Sequence, residues 1–117
     1  SCIVVEGSLD AMKIHQAGFP NVVSSLGATI TKEHIAKLSS YFDSIIVFSD
    51  NDSAGNAMRS EIISNLYNKD LRIVVFEDQS IKDPGEMTKD QIISHINNAV
   101  DYFTWSFDNV FSPYTSN

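Results

Sequence analysis

Four short apolar runs constrain this chain more than anything else in it: CIVVE (2–6), NVVSSLG (21–27), SIIVFS (44–49) and LRIVVFE (71–77). Each is rich in β-branched residues, and each reads as a strand. SIIVFS is continuously apolar, the pattern of a strand covered on both faces. No Asn-Gly or Asp-Gly pair joins two of the runs, so hairpins are not signalled. Helical segments lie between them, and strands so separated pair in parallel through right-handed crossovers. The expected fold class is therefore a single α/β sandwich with a four-stranded, largely parallel sheet.

The intervening segments carry helix signals. Ser8 is placed to cap a helix running to about Ala17, with Leu9, Met12, Ile14 and Ala17 inward and Gly18 closing it. Thr31 opens TKEHIAKLSSYF, with Ile35 and Leu38 inward, although His34 stands where a full capping box would have Glu. Asp52 or Ser53 starts a helix to about Asn68, with Ala57, Ile62, Ile63 and Leu66 available for packing. After the turn-prone DQSIKDPGEM, a last helix is expected from Thr88 to about Asn109.

At 117 residues and 43% hydrophobic, the chain can bury one real core. It begins Ser-Cys and enters a strand at once, as expected of a domain cut from a longer protein or of a processed chain. No apolar stretch is long enough to span a membrane as a helix, and no membrane partner is expected. The single cysteine, Cys2, excludes an internal disulfide and a cysteine-rich zinc site, and it fits a reducing, cytoplasmic setting. A net charge of −7 argues against a broad basic footprint for nucleic acid. It leaves room for phosphate contacts made through divalent cations or a partner domain.

The acids fall where such a fold binds ligands, beyond the carboxyl ends of its strands. Glu6 ends the first run and Asp10 lies in the next helical turn. Asp50 and Asp52 follow the third run, and Asp83 and Glu86 follow the fourth. Taken singly, each has an ordinary reading: Asp52 caps a helix, EGSLD is a strand end, KDPGEM is a Pro-Gly turn. Taken together at one sheet edge, they repel one another unless a cation is present. Oxygen ligands without His or Cys favour Mg²⁺ or Mn²⁺, and such a site suits phosphoryl transfer.

VVEGSLDAMKIHQAG, SSLGATIT, SDNDSAGNAMR and KDPGEM, in that order and spacing, resemble the motif blocks of the TOPRIM domain, the catalytic module shared by topoisomerases and primases. The likeness covers roughly residues 2–100. SLGAT and the KDPGE loop are similar to DnaG-type primases, phage versions included. The resemblance implies a Rossmann-like parallel four-stranded sheet between helices, with residues 1–104 as the catalytic domain and 105–117 as an extension toward a following domain. It implies Glu6 as a general acid or base. It also implies Asp50 and Asp52 as the metal-binding D-x-D, Asp10 as the acid four positions after Glu6, and Asp83 as the acid of the late loop. Many bacterial primases carry D-P-D there. Gly85 replaces the second aspartate in this chain, and Glu86 is the implied substitute.

In a full-length enzyme of this kind, Mg²⁺ or Mn²⁺ would support RNA primer synthesis from nucleoside triphosphates on a single-stranded DNA template. Other primase domains and a replicative helicase would be its partners. The rivals are a small TOPRIM nuclease and a degenerate interaction module. Lys82, beside Asp83, is the expected substrate phosphate contact, and Arg59 is expected in a surface salt bridge, whereas Lys13 on the first helix could face the same rim, with solvent as its default. His15, His34 and His95 lack the spacing of a zinc site, and Cys2 is expected as a small buried hydrophobe. The aromatic tail DYFTWSFDNVFSPYTSN is expected to pack on the sheet or face a following domain rather than to stack bases.

Overall fold

The computed structural model describes residues 1–25 and 30–107. The order is β1 (Cys2–Val5), α1 (Ser8–Gln16), β2 (Val22–Ser24), α2 (Lys32–Tyr41), β3 (Ser44–Val47), α3 (Ser53–Leu66) and β4 (Asp70–Ile73). A 3₁₀ turn (Pro84–Glu86), α4 (Lys89–Asn97), β5 (Val100–Asp101) and a helical segment over 102–107 follow. The sheet runs β2-β1-β3-β4-β5. The first four strands are parallel and β5 is antiparallel to β4.

The pleat divides the core into two layers. Val4, Ile45, Val47, Leu71 and Ile73 point to the face covered by Ile35 of α2 and by Met58, Ile62 and Leu66 of α3. Ile3, Val5, Ile46 and Phe48 point to the other, beneath Ile14 of α1 and Ile92 and Ile96 of α4. Cys2 is fully buried in the first layer, and burial pushes its thiol up to about 11.

Two expectations about the elements are corrected. The sheet has five strands, not four, and the last helix stops at Asn97 instead of continuing to Asn109. Asn98 turns its N–H back to the Ser94 carbonyl, Val100 pairs with Ile73, and the Asp101 carboxylate accepts the Phe103 N–H to start the next helical segment. Residues 108–109, within that expected helix, lie outside the described residues. On α1 the cap is Gly7 rather than Ser8, and Leu9 and Met12 are exposed at 71% and 56%. The inward stripe is Asp10, Ile14 and Ala17, so a carboxylate occupies the position where an apolar residue begins most such stripes.

The two central strands decide where the site forms. From β1 the chain turns outward to β2, then crosses back over β1 to reach β3 and continues to β4. Strand order therefore reverses between β1 and β3, the crevice where open α/β sheets receive ligands. The register Val4↔Val47 brings Glu6 and Asp50 to that crevice together.

Helix α3 starts against the backbone of the loop before it. A Cβ on Gly55 would lie 2.0 Å from the Asp50 carbonyl oxygen. Because that obstacle is backbone, Gly55→Ala is expected to destabilise the chain by about 3 kcal/mol or more in urea unfolding. A loss below about 0.5 kcal/mol would show that the loop can move aside.

Candidate metal centre

Glu6, Asp50 and Asp52 form a group in which one oxygen from each lies within 4.8 Å of the others. Glu6 and Asp50 are half-buried, and Asp52 is exposed. The Asp50 N–H donates to Glu6 Oε2 at 3.3 Å, which turns the Glu6 carboxylate toward the D-x-D. Asp52 does double duty, since its Oδ1 accepts the Gly55 N–H at 2.7 Å as the α3 cap.

Asp50 is the unusual member. Its Oδ1 is buried without a hydrogen-bond partner. Burial first, then a hydrogen bond with Glu6 and the charges of Glu6, Asp10 and Asp83, push its carboxyl up to about 8. A buried carboxylate oxygen with no donor needs either a proton, which here would bridge to Glu6, or a cation. An all-oxygen donor set beside that orphaned atom suits a hard divalent ion, so the residues present fit Mg²⁺ or Mn²⁺.

The other acids lie around this group. Asp10 is raised by burial, then by the charge of Asp83, with the backbone N–H groups of Gly85 and Gly7 offsetting part of the shift and the charge of Glu6 adding to it. Asp83 precedes the 3₁₀ turn and faces both Asp10 and Asp50 electrostatically. Glu86 is turned back on its own loop, where its carboxylate accepts the Lys82 N–H. Asp10, Asp83 and Glu86 are thus outside the tight group formed among the described residues. Lys82 is exposed, with its carbonyl held at 2.7 Å by the Asn51 N–H. An open cleft of about 530 Å³ runs from Glu6, Asp10 and Asp50 along Ala54, Ala57 and Glu61 of α3.

One positioning residue, Asn51, escaped the sequence reading, and Lys13 and Arg59 make contacts other than those expected. Asn51, between the two aspartates, projects away from them and donates through Nδ2 to the Ile81 carbonyl at 3.3 Å and Gln79 Oε1 at 3.2 Å. It staples the D-x-D loop to the Lys82–Asp83 loop, and the period-2 alternation of an extended segment was the available signal. Lys13 is not left to solvent: its Nζ donates to the Gly85 and Met87 carbonyls at 2.9 and 3.0 Å. Arg59 is half-buried rather than salt-bridged at the surface, its guanidinium 5.2 Å from the Trp105 ring centroid and near Ser49 Oγ. Of the histidines, His34 completes the α2 cap by accepting the Thr31 N–H. His95 is buried beside Phe48 and Phe76, where Nε2 accepts the Glu77 N–H.

A largely parallel sheet with a glutamate after its first strand and a D-x-D after its third, meeting at the switch point, defines a TOPRIM-type module. The chain belongs to the Toprim-like family, whose pattern matches residues 3–88. Among curated proteins, it is 37% identical over 109 residues to the DNA primase of Rickettsia bellii, covering 91% of this chain and 17% of that one. It is 33% identical over 85 residues to the DNA primase of Thermotoga maritima, covering 73% of this chain and 15% of that one. The solved zinc-binding and RNA polymerase domains of the Aquifex aeolicus primase share the fold, with a TM-score of 0.78 at 24% identity, over 96% of this chain and 28% of that one. The chain spans less than a fifth of the length of the curated relatives it matches.

The Asp50 shift carries a pH consequence. Unfolded, the group titrates near the ordinary aspartate value of 3.8, and folded, at about 8. The folded chain therefore binds the extra proton between these values, and the favourable contribution at low pH is lost as pH rises toward 8. Without divalent metal, the melting temperature is expected to fall by several degrees from about pH 5 to about pH 8. Asp50→Asn should flatten that fall, and a slope unchanged in the variant would remove Asp50 as its source.

Proposed function

We propose that this chain is the divalent-cation-dependent nucleotidyl-transfer core of a DNA primase. In its full-length protein it joins ribonucleotides into RNA primers on a single-stranded DNA template. The observation that carries this reading is the buried, unpartnered Asp50 Oδ1 within a carboxylate group completed by Glu6 and Asp52. The primase relatives support the choice of reaction, and a DnaG primase catalytic domain bound to ssDNA, which shares the fold at 24% identity, supports the template.

In this reading Glu6, Asp50 and Asp52 hold the cation, with Asp83 at its margin. When bound, Mg²⁺ or Mn²⁺ supplies positive charge that polarises phosphate oxygens and offsets the charge developing on them. Asp50 must surrender its proton for this role, so cation affinity rises with pH toward 8. Glu6, fixed by the Asp50 N–H, accepts the proton of the attacking 3′-hydroxyl. The new bond joins that oxygen to the α-phosphorus, and the bond to pyrophosphate breaks. Lys82, exposed on the loop stapled by Asn51, meets the phosphates at the rim.

Titrating Mn²⁺ into the chain and following NMR line broadening tests the site. Broadening should centre on Glu6, Asp50 and Asp52, and Asp50→Asn should weaken binding about tenfold or more, as expected when a charged ligand is removed. In the full-length protein, Asp50→Asn should lower primer synthesis about 100-fold while template affinity stays within about twofold. Diffuse broadening unchanged in Asp50→Asn would overturn the site. Metal-dependent cleavage of DNA or RNA by this chain, with no nucleotide incorporation by its parent, would make water the nucleophile and overturn the primase reading in favour of a nuclease.

A further inference from the structure

We infer that Asp10 is a positioning residue, which clasps the Asp83 loop to the first strand's end, rather than a ligand of the cation. This rests on the cation site proposed above. Asp10 is only 6% exposed, and both carboxylate oxygens already have backbone donors. Oδ1 accepts the Gly85 N–H at 2.9 Å and Oδ2 the Gly7 N–H at 3.2 Å. It lies outside the three-carboxylate group, among whose members an ion would find its shortest reach.

One turn along the same helix, Lys13 Nζ takes the Gly85 carbonyl at 2.9 Å and the Met87 carbonyl at 3.0 Å. Both backbone polar groups of Gly85 are thus held by α1, the N–H by an anion and the C=O by a cation. Two charge-assisted hydrogen bonds on one peptide position leave the loop little freedom. Glycines close around the carboxylate on either side. A Cβ on Gly7 would lie 3.0 Å from Asp10 Oδ2, and one on Gly85 would lie 3.0 Å from Asp10 Oδ1 and 2.9 Å from Asp83 Oδ1. A side chain at position 85 would have to turn these two carboxylate tips aside.

Two measurements on Asp10→Asn and the wild type test the clasp. The first is metal-free amide hydrogen exchange, in which Gly85 should exchange about tenfold faster in the variant, because one donor loses its acceptor and the remaining bond its charge. Unchanged exchange at both Gly85 and Gly7 would overturn the inference whether or not metal binds. The second follows carboxylate ¹³C shifts during Mg²⁺ titration. In the wild type Glu6, Asp50 and Asp52 should move, Asp83 at the margin should move more weakly, and Asp10 should move far less than Asp50. In the variant those three should still respond, with affinity within about threefold, while the Asp83 response is lost, a selective change that general loosening would not give. An Asp10 shift as large as that of Asp50 in the wild type would make it a ligand and overturn the inference, and this arm does not depend on the variant folding. A wild type silent to Mg²⁺ at Glu6, Asp50 and Asp52 would overturn the cation site, and with it the role of Asp10 in serving that site, even if the exchange arm shows the clasp.

Discussion

The burial of Asp50 against Glu6 is the constraint on which the site depends. Parallel pairing of β1 with β3 obliges whatever follows the two strands to share one crevice, and both strands are followed by acids. Half-burial removes the water that would screen them. The sheet cannot relieve the conflict by slipping, because a one-residue shift would turn Ile45 and Val47 from one core layer into the other. The core thus holds close together carboxylates that a flexible peptide would let drift apart, and a proton or a cation completes the arrangement.

Much of the backbone around that conflict is there to keep it from relaxing. Gly55 lets α3 begin in contact with the Asp50 carbonyl, and the Asp52 cap fixes the turn between them. Asn51 ties this turn sideways to the loop after β4, and α1 grips that loop from the opposite side through Asp10 and Lys13. Three connections far apart in sequence become one assembly at the sheet edge. Its parts are mostly backbone groups held by side chains, which suits a site that must keep its geometry while its net charge changes.

The fold was legible in the sequence wherever a pattern repeated. The four apolar runs and the breaks between them sufficed for the parallel sheet, and the placement of acids after those runs foretold that Glu6, Asp50 and Asp52 would meet at one edge. What was not legible had no periodic signature. β5 is two residues long, and Val100–Asp101 carries too little hydrophobic pattern to interrupt a helix reading. Leu9 and Met12 match a helical stripe as well as Asp10 and Ile14 do, and only the buried carboxylate, stabilised by two backbone donors 75 and three residues away, breaks the tie. Lys13 and Asn51 recognise main-chain atoms of distant loops, and carbonyls look the same in every sequence.

The distribution of positive charge completes the physical picture. With 8 Lys and Arg against 15 Asp and Glu, the chain repels polyanions as a whole. Two of its cations in the elements framing the acids are already committed: Lys13 to two carbonyls of the late loop and Arg59 to the face of Trp105. Each hydrogen bond or ring contact holds its charge in place as part of the scaffold. Lys82 differs, since its backbone is anchored through the Asn51 N–H and the Glu86 carboxylate while its side chain stays exposed. Under the proposed function, a phosphate approaching this edge meets one exposed lysine on an anchored loop and a group of carboxylates that a divalent ion would make attractive. In the proposed function, such an edge serves by holding charge still at one point.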